Sequence, residues 1–258
     1  VTLTHDISLP AHALALLGGL VAGTIDAIAG GGGLITVPTL LAIGLPPHLA
    51  LGTNKVQSTI GVAVAMLRYR QGGLVRLRDW KRAIVFTALG AAAGTALIQR
   101  LSPGLLAWLI PVLLVAILLY TLLTPGLGER ARPERVKPAV LQPVAGTVLG
   151  FHDGFFGPGT GTFWAMTLVG LGGLDLRKAT GATKVMNFTS NLVAAVLFLV
   201  AGQIVVTVAL AMTVGQVAGS LIGSHLVLSR PPRFIRWVLV VSVTATAARL
   251  LWRQFTGQ

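Results

Sequence analysis

The sequence predicts an all-α polytopic membrane protein made of two inverted repeats, each a helix/half-helix hairpin followed by three spanning helices. Three observations carry this expectation: the composition, a segment pattern that occurs twice, and a one-sided distribution of basic residues. Of 258 residues, 54% are hydrophobic and 10% are charged, against about 25% charged in a soluble domain. Mean hydropathy is +0.82. The chain has no cysteine, which removes disulfides, thiol nucleophiles and thiolate metal sites. Residues 1–9 have neither the basic start nor the small-residue cleavage site of a signal peptide.

Apolar segments fall at 10–29, 34–45, 49–69, 79–99 and 104–124. A polar stretch, "GLGERARPERVKP", covers 126–138, and the pattern then returns at 139–156, 161–173, 178–200, 204–228 and 234–253. The predicted organisation is therefore a first transmembrane repeat over 1–125, a basic linker over 126–138 and a second repeat over 139–258. A spanning helix needs about 20 apolar residues, so the second element of each half is too short to cross at 1.5 Å per residue.

Sequence matches relate the halves. "DAIAGGGG" at 26–33 aligns with "DGFFGPGT" at 153–160, placing Asp26 on Asp153, Gly30 on Gly157 and Gly32 on Gly159. "GTNKV" at 52–56 aligns with "GATKV" at 181–185, placing Lys55 on Lys184. "GAAAGT" at 90–95 aligns with "GQVAGS" at 215–220, both GxxxG. The matches keep their order at offsets of 125 to 129. Short broken segments at corresponding places in two halves point to a transporter binding site.

Charge orients the segments. The net charge of +13 would suggest nucleic acid in a soluble protein, but topology accounts for it here and no nucleic-acid partner is expected. Fifteen of the 20 basic residues lie in four regions: 68–82, the linker, Arg177 with Lys178, and 230–236. Lys and Arg accumulate on the cytoplasmic side, so these regions share that face and both termini lie outside. Each half then crosses an odd number of times, which makes the halves inverted copies. Tyr69, Trp80, Tyr120 and Trp237 are expected at the cytoplasmic interface and Trp108 and Trp252 at the outer one, as a belt of amphipathic rings.

The glycine run Gly30, Gly31, Gly32 and Gly33 interrupts an apolar stretch, at about 1 kcal/mol per glycine against alanine. Non-helical backbone at membrane depth must be buried in protein or line a cavity. Each glycine-rich tip can reverse the chain and present the free N–H groups of the following short helix to an anion. Gly157, Gly159 and Thr160 stand at the second tip, with Trp164 on its short helix. A helix-packing glycine patch is the plainer alternative.

The lysines sharpen the expectation. Inserting one in a membrane helix costs roughly 2.5–3.5 kcal/mol, so it faces a cavity or a partner. Lys55 has Thr53, Asn54, Gln57 and Ser58 beside it, and Lys184 has Thr183, Asn187, Ser190 and Asn191. Two readings stand side by side: static pairs of Lys55 with Asp26 and Lys184 with Asp153, or direct contact of both lysines with an anionic substrate. Asp26 and Asp153 are also candidates for coupling transport to protons, the alternative being that each only accepts hydrogen bonds from its tip. Gly90 with Gly94 and Gly215 with Gly219 fit close helix packing, either inside the chain or in a homodimer. No metal-ligand spacing, cofactor motif or catalytic constellation is found, so an enzyme is not expected.

The glycine-rich tip, the proline after it, "GLPPHLALGTNK" at 44–55 and the repeat of this pattern resemble the TauE/SafE sulfite exporter family of transmembrane permeases. The resemblance runs from about residue 15 to 252. It implies a secondary transporter of the bacterial inner membrane that exports a small sulfur-containing anion such as sulfite, sulfoacetate or a related organosulfonate. A passive anion channel and an importer of another small organic anion are the alternatives. The second copy departs from the first at Pro158 and Thr160, in place of Gly31 and Gly33, and carries bulky Phe155, Phe156 and Trp164 nearby.

Overall fold

The computed structural model describes residues 7–123 and 133–230, and these are helical without strands. The helices are α1 (Leu9–Ala29), α2 (Gly33–Ala42), α3 (Pro47–Gln71), α4 (Lys81–Ile98), α5 (Pro103–Leu123), α6 (Pro138–Phe155), α7 (Thr160–Gly170), α8 (Leu176–Val200) and α9 (Val206–Ser229). A short 3-10 turn, Leu77–Trp80, precedes α4. The expected segment at 234–253, the linker residues 126–132, Trp237 and Trp252 lie outside the described residues, and so does the Tyr120 side chain.

Each start and stop has a local cause. Pro10, Pro47 and Pro138 stand in the first turns of α1, α3 and α6, where a missing N–H costs nothing. Asp175 caps α8, accepting from the Lys178 amide at 3.0 Å. α1 ends because Gly30 takes φ +80°, a left-handed conformation open to glycine, and returns its N–H to the Asp26 carbonyl at 2.9 Å.

Four described helical stretches are long and apolar enough to cross a membrane: Leu9–Ala29, Leu77–Ile98, Leu176–Val200 and Val206–Ser229. Large apolar side chains cover their outside, among them Leu17, Val85, Leu89, Val196, Leu210 and Val214, all exposed. α6 adds Val144 and Val148 to this surface. Water does not tolerate contiguous apolar area on this scale, whereas lipid does.

Packing is reciprocal between the two parts of the chain. α1 runs along α9, and α4 runs along α6. The GxxxG glycines lie in these contacts. A Cβ on Gly215 or Gly219 would strike the carbonyls of Leu16 or Leu20 in α1, and one on Gly90 or Gly94 would strike those of Thr147 or Phe151 in α6. The GxxxG pairs therefore pack inside the chain. α3 and α8 cross at the centre, and each also touches a long helix of the opposite part: α8 with α4, and α3 with α9.

The described basic regions gather at one end. The Arg177 guanidinium donates to the Val227 and Leu228 carbonyls at 2.9 and 2.6 Å. Gln142 Nε2 donates to the Asp79 carbonyl at 2.9 Å, and the Arg135 amide to the Leu171 carbonyl at 3.0 Å. The α6–α7 hairpin opens at this end. The α1–α2 hairpin opens at the other, where Ile7, Leu40, Leu45 and Ala50 pack with Val205 and Met212.

One aromatic expectation is corrected. Tyr69 is fully buried rather than part of an interfacial belt, and its hydroxyl donates to the Ala27 carbonyl at 2.7 Å. The end of α3 packs beneath the tip of α1, so the ring fills the core there with Ala27, Ile28 and Trp164. Trp108, in contrast, is exposed on α5.

The carbonyl-tight seam between α1 and α9 predicts a large effect of added volume. Overpacking costs about 1–3 kcal/mol, and here the obstacle is backbone. Gly219→Leu should lower the melting temperature of the detergent-solubilised protein and its monodisperse yield, while Gly104→Ala, with nothing within 4 Å, should leave both unchanged.

Candidate functional site: two helix ends capped across the chain

The tips of the two hairpins meet inside the bundle. A Cβ on Gly30 would come within 2.6 Å of the Gly161 backbone, and one on Gly33 within 3.0 Å of Pro158. α1 and α6 therefore both end inside the protein, with their last carbonyls away from bulk water. Such groups need donors.

The donors are lysines, and they come from the opposite half. Lys55 on α3 donates to the Asp153 carbonyl at 2.5 Å and to Asp153 Oδ1 at 2.6 Å. Lys184 on α8 donates to the Asp26 carbonyl, and to Asp26 Oδ2 at 3.2 Å. Both lysines are essentially fully buried. The sequence-based pairing of Lys55 with Asp26 and Lys184 with Asp153 is thereby corrected: the pairs are crossed. α3 and α8 cross at the centre, which carries each ammonium past its own hairpin to the other one. The positive charge also lies at the negative end of each broken helix, where it is favoured.

Hydroxyls complete the caps. The carbonyl after each aspartate accepts from a different helix: Ala27 from Tyr69, and Gly154 from Thr95 Oγ1 at 3.1 Å. Thr162 Oγ1 of α7 donates to the Ala29 carbonyl at 3.3 Å, tying the second short helix to the first tip. On the other side, the Gly32 amide at the start of α2 reaches Asp26 Oδ1 at 3.4 Å. A carboxylate of the chain thus stands at the helix N-terminus where the sequence suggested an anion.

A cavity of about 30 Å³ lies between the tips. Asp26, Asp153, Lys55, Asn54, Ser58 and Asn187 line it, together with the backbone of Gly30, Gly33 and Gly157. Asn191, from the cluster beside Lys184, also lines it, as do Val62 and Gly161, which the sequence did not single out. Gly157 has φ +100°, and a Cβ there would sit 2.7 Å from Lys55 Nζ, so this glycine makes room for the ammonium.

The remaining candidates surround the cavity without lining it. Gln57 donates to Asn54 Oδ1 and to Ser58 Oγ, both at 2.9 Å. Thr36 Oγ1 donates to the same Asn54 oxygen at 2.5 Å, fixing α2 against α3. Thr160 donates to the Gly157 carbonyl at 2.7 Å and lies 2.8 Å from His152 Nδ1, which braces the second tip. Gly159 begins α7 in a left-handed conformation, while Gly31 and Gly32 complete the turn into α2. Thr183 is buried with no partner for its hydroxyl. Trp164 is packed in the apolar core, its indole N–H unpartnered. Among the described residues, no cluster of acidic and histidine side chains could hold a metal.

A second, larger cavity of about 480 Å³ opens at the basic end. Arg76, Asp79, Glu134 and Lys178 line its mouth, and it shares no lining residue with the central one.

Membrane-length apolar helices, two hairpins that break inside the bundle and a buried charged cluster between them define a multi-pass membrane protein of the transporter class. The comparisons agree. The family described as "Sulfite exporter TauE/SafE" matches residues 15–250, and the chain belongs to this family of membrane transporters. It is 41% identical over 249 residues to a "Probable membrane transporter protein" of Haemophilus influenzae, covering 96% of this chain and 98% of that one. It is 40% identical over 233 residues to the "Probable membrane transporter protein YfcA" of Escherichia coli K12, covering 90% and 87%. A "Probable membrane transporter protein ORF9" of Sinorhizobium is 41% identical over 248 residues, covering 96% and 95%. No solved structure matches the chain significantly.

The crossed pairing predicts which changes compensate. Removing one partner of a buried pair costs about 3–5 kcal/mol because it strands the other charge. Lys55→Met should therefore destabilise the protein strongly. Adding Asp153→Asn should recover part of that loss in thermal melts, and adding Asp26→Asn should not.

Proposed function

We propose that the protein is a secondary transporter that exports a small sulfur-containing anion, such as sulfite, sulfoacetate or a related organosulfonate, by alternating access. One observation carries this reading: each of two buried lysines is neutralised by a carboxylate of the opposite hairpin, and Lys55 and both carboxylates line the small cavity between the tips, with Lys184 held behind Asp26 by their ion pair. An anion arriving between Lys55 and Lys184 takes over the role that Asp26 and Asp153 play in its absence. Asn54, Ser58 and Asn187 add neutral donors, and the glycine tips let the backbone approach.

Size supports a carrier over a pore. About 30 Å³ holds a water or two, so an anion of four heavy atoms enters only when the tips part. The sulfur-anion class rests on the family name.

In this reading the two repeats are inverted and move against each other, as their oppositely opening hairpins suggest. The basic end faces the cytoplasm of a bacterial inner membrane, both termini lie outside, and the larger cavity serves as the cytoplasmic vestibule. Because the GxxxG seams are used inside the chain, a dimer would need another surface.

Two tests follow. A charge-assisted hydrogen bond contributes about 1.5–3 kcal/mol, so Lys55→Met or Lys184→Met should weaken sulfite or sulfoacetate binding roughly ten- to a hundredfold at 1.4 kcal/mol per decade. Calorimetry on purified protein measures this, and wild-type affinity in both variants would make the lysines purely structural. For orientation, Arg78 is exposed at the basic end. Arg78→Cys should be labelled by an impermeant maleimide only after the inner membrane is opened, and labelling of intact cells would reverse the topology.

A further inference from the structure

The two lysine–aspartate pairs occupy matching positions but have different surroundings. Asp153 is held three ways besides the backbone. Oδ1 takes Lys55 at 2.6 Å, while Oδ2 takes the Ser190 hydroxyl and, at 3.5 Å, the Asn191 amide. The residues of α3 matching Ser190 and Asn191 are Gly61 and Val62, which bring no side-chain donor. Asp26 accordingly has Lys184 at 3.2 Å and the Gly32 amide at 3.4 Å.

We propose that Asp26 is the carboxylate that takes up a proton when an anion draws its lysine away, and that Asp153 stays ionised throughout. This rests on the reading of the lysines as anion sites. If Lys55 turns to the anion, Asp153 keeps two neutral donors on Oδ2 and remains a hydrogen-bonded carboxylate. If Lys184 turns away, Asp26 is left with one long amide contact in a buried setting. An ionised carboxylate with so little compensation costs far more than a neutral carboxyl group. A proton from water then bonds to Oδ2, the atom that Lys184 vacates. Lys184 keeps its three protons and carries its charge to the anion. One monoanion and one proton enter together, so the net charge of the four ionisable groups and their ligand stays at zero.

Among the described residues, the charged and titratable groups around the two pairs come from several helices, and α6 also carries His152 beside Asp153, its Nδ1 2.8 Å from Thr160 Oγ1. α8 brings Lys184, α3 brings Lys55 and the Tyr69 phenol, and α6 brings Asp153 across the cavity. α9, which runs along α1, contributes the buried neutral residues Gln216, Ser220 and Ser224 at this interface. α2 offers the Gly32 amide, and α7 offers Thr162 and Trp164. Lys184 is thus the cation that holds the Asp26 charge.

Infrared spectra of the unliganded protein test the assignment without any substrate. Lys184→Met should show the carbonyl stretch of a protonated carboxyl group, and that band should vanish in the double variant with Asp26→Asn. Lys55→Met should show no such band, because Ser190 and Asn191 still hold Asp153. A band in Lys55→Met that Asp153→Asn removes, or none in Lys184→Met, overturns the proposal. A second measurement uses methanesulfonate, which does not itself titrate near neutral pH. In weak buffer the wild-type protein should take up about one proton per anion bound, its affinity falling up to about tenfold per unit rise in pH. Asp26→Asn should lose that uptake. Uptake that persists in Asp26→Asn overturns the assignment. Failure of the wild-type protein to bind methanesulfonate, sulfite and sulfoacetate alike would overturn the transport reading, and the Lys184→Met spectra would still decide the role of Asp26.

Discussion

Two helices end in the middle of the protein, and their carbonyl groups have no water to turn to. A helix terminus leaves up to four such groups, and at membrane depth each must find a donor. Lys55 and Lys184 answer this need, one at each terminus, reaching a main-chain carbonyl and a carboxylate together. Much of the architecture follows. α3 and α8 must cross so that each ammonium reaches the opposite hairpin. The two tips must touch so that the caps share one enclosed space. A single chemical requirement, the satisfaction of buried helix ends, thus fixes the relation between the parts.

In the proposed reading, the same requirement is what an anion exploits. A lysine that pairs with an internal carboxylate has the partner it would otherwise seek from outside. The charges of the four residues cancel, so the closed protein carries no uncompensated charge at its centre. Any ligand has to offer the lysines at least what Asp26 and Asp153 offer already. In the proposed transport reading this favours compact oxyanions over halide-like point charges, since each ammonium engages two oxygens.

Much of this was legible in the residues, and the failures share one cause. The described helices begin and end within a few positions of the apolar segments, and α2 and α7 are as short as the segment lengths required. The aspartates and lysines stood out because charge in an apolar segment needs an explanation. What the sequence did not convey was which way each helix turns. Position along a span gives depth, but not azimuth. Lys55 was assigned to Asp26 because the two are close in the chain, yet α3 presents it to α6. Tyr69 was assigned to the surface because it ends a span, yet it faces inward beneath α1. Ser190 and Asn191 were seen beside Lys184, but their bonds to Asp153 depend on how α8 meets the tip of α6.

The contact between Gly30 and Gly161 has a further meaning. Here main chain lies directly on main chain, with no side chain between. Ordinary packed interfaces interlock, and separating them frees rotamers that must be ordered again on closing. A joint of bare backbone has no rotamers to reset and no knobs to withdraw from holes. Parting and rejoining these two turns therefore carries little side-chain entropy in either direction. In the proposed transport cycle, this sparsely decorated contact is well suited to open and close many times without losing its register.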